Sequence, residues 1–291
     1  MNTIAMQFLS GLTSAMFLFL LAAGLSLIFG VSRVINVSHG AFYMLGAYLL
    51  VTVGRLTTLD ATGFVLLAIV GSILVGLFGG LLEILILRHV YKGGMLFVAL
   101  VTFGMLAVIE ETAKIIWGAE LTTATKPASL EGAAQVFGGA LPHYNIMLIT
   151  AGLLLALGVW AVVEKTRFGL LIRAASMDRE MLSALGIDVP RVFTVTFAFG
   201  AGLAGLAGIL AAPMVSISPS MGSSIIIEAF AVVVIGGLGS LPGSLLGAFI
   251  VGEALAFGIL ALPGLALVMV YLLMAIILIL RPEGLLGGKA S

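Results

Sequence analysis

The sequence contains no cysteine, and only 9% of its 291 residues carry charge. The first absence excludes disulfides, thiolate metal sites and cysteine nucleophiles. The second excludes an ordinary soluble domain, in which about 25% of residues are charged. Other chemistry is missing too. The Gly-Gly-Leu-Gly-Ser run at Gly236–Ser240 lacks the Lys-Ser/Thr that would make it a phosphate-binding loop. There is no His-Glu-x-x-His pair and no nucleophile motif beside His39 and the serines, so an intramembrane hydrolase is not supported. The amino-terminal MNTIAMQFLSGL has no basic n-region, and the first apolar span is expected to be retained.

What fills the space is apolar: 62% of the residues are hydrophobic. Apolar runs near 20 residues recur along the whole chain, each long enough to cross a hydrocarbon layer of about 30 Å. The expected fold class is all-α: one polytopic membrane domain over residues 1–291, with about eight transmembrane helices. Spans are expected near 8–30, 40–54, 63–87, 94–117, 144–163 and 192–212. The run after Ser224 is too long for one span and is broken by Gly236, Gly237, Gly239, Pro242 and Gly243. It reads as two segments, the first short enough to be re-entrant, before a last span near 264–280. Small residues at Gly200, Ala204, Gly205 and Gly208 predict tight helix contact rather than lipid exposure. Trp117, Trp160 and Tyr144 read as interface anchors.

The loop at about 164–191 holds five of the thirteen Lys/Arg, with three acids interspersed. A basic loop between spans stays in the cytoplasm. With eight spans, ten Lys/Arg fall inside and three (Arg55, Lys114 and Lys126) outside. The amino terminus is then outside and the carboxyl terminus inside. Within the loop, Arg173 to Leu185 predicts one compact helix ended by Gly186, with Ala174, Met177, Met181, Ala184 and Leu185 on one face. Such a helix suits docking onto another protein, although scattered charges also suit a plain solvated loop.

Polar groups inside apolar runs are the other signal. Asn36 and His39 sit in a polar break between two spans. That break lies either beside a solute path, where irregular backbone is tolerated, or at an interfacial turn in which Ser38 caps the next helix. Glu110, Glu228 and Glu253 each lie in an apolar run, at a cost of at least about 2.5 kcal/mol at mid-helix. Each either meets a substrate amino group, bonds to a neighbouring helix or snorkels to the interface. Glu83 has Arg88 close by and can reach the interface. The Gly236–Gly243 break is similar to the broken helices that line transport sites, or simply packs closely. SHGAFYMLGAYL and PGSLLGAFIVGE share a glycine-spaced rhythm, a faint internal repeat.

Three stretches, in order, closely resemble the LIV-type branched-chain amino-acid ABC permeases. They are GLSLIFGVSRVINVSHGAFYMLGAY, the segment from Arg173 into TFAFGAGLAGLAGIL, and IGGLGSLPGSLLGAFIVG. Length and the short amino terminus resemble the H-type subunit. The resemblance implies a permease subunit of an importer in a bacterial inner membrane, carrying branched-chain or related amino acids or, alternatively, urea or short amides. It implies a homologous M-type permease, two cytoplasmic ATPase subunits that bind ATP and Mg, and an extracytoplasmic substrate-binding protein. No cofactor, metal or nucleic acid is expected on this chain. Arg173, Ala174, Asp178, Ala184, Gly186 and Ile187 would form the coupling segment. Position 173 departs from the general importer motif, which has Glu there. An ion-coupled secondary transporter is the rival reading, weakened by the small number of spans.

Overall fold

The computed structural model describes residues 2–287, so Lys289, counted above among the inside charges, lies outside them. In chain order the helices are α1 (Asn2–Ser32), α2 (His39–Leu56), α3 (Ala61–Leu82) and α4 (Met95–Trp117). Then come α5 (His143–Lys165), α6 (Arg167–Met177), α7 (Arg179–Ala184), α8 (Val189–Ala211), α9 (Met221–Gly236), α10 (Leu241–Ala261) and α11 (Ala266–Leu280). A short antiparallel hairpin, β1 (Ala133–Val136) and β2 (Gly139–Pro142), interrupts the polar 118–143 stretch. Among the described residues, seven helices are long and apolar enough to cross a membrane, and the 16-residue α9 is a shorter apolar helix. The all-α membrane architecture is therefore as expected.

Helices dominate because hydrocarbon offers no partner for backbone N–H and C=O groups. Their ends are written in the sequence. Asp60, Thr166, Asp178, Asp188 and Ser240 each cap a following helix by accepting a backbone N–H. Such caps are worth about 1 kcal/mol each.

The long helix α1 is the centre of the bundle, packed by α8, α10 and α5. Backbones approach closely where glycines face one another. A side chain added at Gly24 would meet the Gly200 carbonyl, and one at Gly76 would meet Ala198. The stripe Gly200, Ala204, Gly205 and Gly208 is fully buried. Aliphatic side chains on α3 (Val65, Leu66, Ile69, Ile73, Leu77) and α11 (Ile276, Ile279) stay exposed, as lipid-facing positions should. Tyr144 is not an interface anchor. It is buried, its hydroxyl donating to the Leu210 carbonyl at 2.7 Å. Trp117 stacks on Tyr48 and donates to Thr52, so only Trp160 stays open, with Lys165 over its ring.

The helices form an inverted repeat. Chain α1–α2–α3 is a long helix, a turn back into the bundle, a short helix and a long helix; α8–α9–α10 repeats this pattern in the opposite direction. The packing is exchanged accordingly: α1 lies on α10 and α8 lies on α3. The matching motif is Ser38-His39-Gly40 against Ser220-Met221-Gly222. The faint sequence repeat had paired the α2 stretch with α10; the structure pairs it with α9. The glycine rhythm misleads because close packing, not repeat ancestry, places glycines in every one of these helices.

Candidate translocation and coupling sites

The first break follows α1. Arg33 leaves the helix in the left-handed region (φ 54°), and the chain turns back inward. His39, the first residue of α2, places Nε2 3.0 Å from the carbonyl of Leu21. Leu21 lies eleven residues before the end of α1. At about 1.5 Å per residue, α2 starts roughly 16 Å in from that end. Asn36 and His39 are therefore deep in the bundle, both buried. Ser38 does not cap α2: its hydroxyl donates instead to Asn36 Oδ1 at 2.7 Å. Asn36 Nδ2 and His39 Nδ1 are buried with no partner.

The second break follows α8. Residues 212–220 come back from the hairpin end of the molecule, pinned there by paired backbone bonds between Ile217 and Thr122. The amino terminus of α9 then meets that of α2: a side chain on Gly40 would strike the Gly222 carbonyl.

One helix holds both breaks. Thr102 of α4 is buried, and its hydroxyl accepts the Val37 N–H at 3.1 Å in the first break. Two turns on, Glu110 Oε1 accepts the Ser223 N–H at 2.8 Å in the first turn of α9. The carboxylate satisfies a donor that the helix leaves open and sits at its positive end. Of the roles open to Glu110, the structure shows the bond to a neighbouring helix.

The other residues separate. Glu228 is half-buried on α9, two turns beyond Met221. Glu253 lies far from both breaks, its carboxylate shielded without partner against Gly11 of α1. Gly236, Gly237 and Gly239 form the tight turn from α9 to α10. That turn is covered by the carboxyl-terminal segment, where Leu285 and Leu286 donate to the carbonyls of Ile235 and Gly236. Glu83 is fully buried in a π-helical turn and accepts from Thr194 at 2.6 Å, with Arg88 at 3.6 Å.

The coupling segment differs from the single helix expected. It is two helices, α6 and α7, broken at Asp178 (φ −146°, ψ 105°). Asp178 breaks the helix by capping α7 through Met181 N–H at 2.9 Å, the competition that short polar side chains offer a helical backbone. Gly186 (φ 82°) then turns the chain, and the Ile187 N–H returns to Leu182. Arg173 pairs with Glu164 at 3.2 Å and donates to the Val163 carbonyl, tying α6 to the end of α5. The face turned inward is Ile172, Ala175 and Leu182, packed on Val31 of α1 and Val192 of α8. Met177, Met181 and Leu185 are 83%, 59% and 70% exposed. Ala184 is exposed beside them, and Ala174 is half-buried.

Residues 7–280 match the family described as branched-chain amino acid transport system / permease component. The chain belongs to that family. The permease is 28% identical to the high-affinity branched-chain amino acid transport system permease protein BraD of Pseudomonas aeruginosa, over 97% of this chain and 95% of that one. It is 28% identical to the corresponding protein LivH of Escherichia coli K12, over 97% and 94%. A probable LivH of Methanocaldococcus jannaschii is 30% identical over 81% and 75%. No solved structure matches the chain.

Two features of this permease escaped sequence reading. Thr102 looks like any threonine in a span; only its eight-residue spacing from Glu110, which puts both on one helix face, hints at a shared task. The contact of the two short-helix termini could not be read at all, since Gly40 and Gly222 are 182 residues apart.

Proposed function

We propose that the chain is one of two permease subunits of an ATP-driven importer for branched-chain or related hydrophobic amino acids. Two cytoplasmic ATPases bind ATP and Mg and dock on α6 and α7; an extracytoplasmic binding protein delivers the substrate. The chain itself carries no cofactor and does no covalent chemistry. The observation that carries this reading is the exposed apolar surface of Met177, Met181 and Leu185 on a short helix pair, which none of the described residues covers. That surface lies at the end of the bundle that holds Arg33, Arg88, Lys92, the five loop residues and Arg281, against Arg55, Lys114 and Lys126 at the other. The asymmetry supports a cytoplasmic placement of α6, α7 and the carboxyl terminus, with the amino terminus outside a cell membrane.

The second permease is expected against α9. Ser220 and Ser224 are exposed there, with half-buried Glu228 one turn further on and Glu110 of α4 alongside. A polar stripe at membrane depth faces protein or water rather than lipid, so the solute path is placed between the two subunits along this stripe. Asn36, His39 and Gly236–Gly239 act behind it, shaping the short helices rather than touching solute.

The test is ATP-dependent uptake of radiolabelled leucine, with urea in parallel, in vesicles holding the full complex. Leucine uptake that vanishes when this chain is omitted is the expected result. Urea uptake alone would keep the importer and overturn the substrate; uptake by this chain alone on an ion gradient would overturn both. In the working complex, Asp178→Ala and Gly186→Ala should each keep membrane insertion while ATP hydrolysis continues with uptake reduced about tenfold or more. The first removes the α7 cap, and the second puts a side chain at positive φ, each costing about 1 kcal/mol locally. Wild-type coupling in both would reject the docking role.

A further inference from the structure

Two arginines join the coupling helices to the first break. Arg33 Nη2 donates to the Ser176 carbonyl at 2.9 Å, and Arg179 Nη2 donates to the Val31 carbonyl at 2.7 Å. Each acceptor lies in the last turn of a helix, Ser176 in α6 and Val31 in α1, where carbonyls have no helical partner. Each helix end is thus capped by a guanidinium from the other element's side, a favourable place for a cation. Among the described residues neither arginine pairs with a carboxylate. Arg179 also stacks over Phe193 of α8 at 4.9 Å, which fixes its direction.

We propose that Arg33 and Arg179 form a reciprocal latch through which movement of α6 and α7 reaches the intramembrane break at 34–39. The proposal rests on the coupling role given to α6 and α7 above. Arg33 is the hinge residue. Among the described residues it is one of two non-glycine residues at positive φ, a conformation that persists only where the surroundings enforce it. Its own N–H closes α1 onto Phe29, and six residues further on His39 opens α2 beside Leu21. Burial and the neighbouring Arg33 charge both lower the Arg179 pKa, so the two like charges are held together by the carbonyls they share with the helix ends. Displacing α6 and α7 together breaks both bonds, the first through Ser176 and the second through Arg179, because carbonyl acceptors are directional where a diffuse charge pair is not. Relaxation of Arg33 then frees the loop that Thr102 holds at Val37. These are positioning residues; neither touches solute.

The chain's lack of cysteine permits a direct test. Val37, half-buried in the break, becomes this chain's single cysteine as Val37→Cys, and its labelling by a water-soluble maleimide in the full complex is timed on this chain's own gel band. Uptake and ATP hydrolysis are measured alongside. Arg33→Gly keeps positive φ without strain while removing the guanidinium, and Arg179→Ala removes the other half. Each should speed labelling and raise ATP hydrolysed per leucine about fivefold, the lower end of coupling between linked sites. The double variant should do no more than either single one. Unchanged labelling and stoichiometry in Arg33→Gly, or additive effects in the double variant, would overturn the latch. If Arg179→Ala fails to insert, Arg33→Gly decides alone. A wild-type complex that takes up nothing with ATP would sink the importer reading, while the labelling rates would still decide whether the arginines hold the break.

Discussion

The two breaks of the inverted repeat have the same plan and opposite finish. In the second, 212–220, Ile217 is strapped to Thr122 by paired backbone bonds, and the α9 terminus receives a carboxylate from Glu110. In the first, 33–38, the α2 terminus has no side-chain cap, Asn36 Nδ2 and His39 Nδ1 are buried without partners, and a non-glycine residue is forced into positive φ. One break is satisfied and the other is strained. Unsatisfied buried groups cost about 1–3 kcal/mol each, so the first break is the less stable half and the natural place for movement. Its arginine ties to α6 and α7 lie on the same side of the comparison: although those helices also pack on Val192 and Phe193 of α8, the two arginine–carbonyl bonds reach the end of α1 at the less stable break.

This contrast can be broken most sharply where the halves touch. Gly40→Ala and Gly222→Ala should each lower the melting temperature of the detergent-purified complex the most, since overpacking a filled contact costs about 1–3 kcal/mol. Gly158→Ala, with nothing near it, is the control and should be neutral or slightly stabilising. Equal melting of all three would mean that the short helices do not meet as described.

A smaller effect should separate the two ends of α4. Glu110→Ala removes the α9 cap and should cost about 1–2 kcal/mol, with Glu110→Gln, which keeps an acceptor, recovering much of it. Thr102→Val should cost about 1 kcal/mol and act on the first break alone. Thermal unfolding gives the size, and labelling at Val37→Cys shows which break loosens. A Glu110 variant that loosened position 37 as much as Thr102→Val would erase the distinction between the halves.

The least effect on stability is expected at His39→Gln. Glutamine Nε2 can still donate to the Leu21 carbonyl while the unpartnered Nδ1 is removed, so melting should change by no more than about 0.5 kcal/mol. Slower uptake at unchanged melting would show that the orphan nitrogen is kept for transport. A large loss of stability would show that the ring is merely packing.

The sequence by itself determined the class of the molecule. Length of apolar runs, scarce charge and the concentration of Lys/Arg around 164–191 require a helical membrane protein with a charged loop at one end, because these are properties of single segments against lipid and water. Side-chain caps were not legible in the same way: the one read from the sequence, Ser38, does not form, while Asp60, Thr166, Asp188 and Ser240 cap helices in the structure. The break at Asp178 was not legible either. A residue that continues a helix and one that caps the next look alike until the burial of Ile172 and Leu182 chooses between them. Nor could the sequence say that α2 and α9 begin inside the bundle, that Glu110 bonds a helix end, or that Glu253 lies far from both breaks. Those facts depend on tertiary pairs, from His39 with Leu21, 18 residues apart, to Glu110 with Ser223, 113 apart. Hydropathy fixes that a segment lies in the membrane; only packing, here glycine against glycine, fixes where it starts and what it faces.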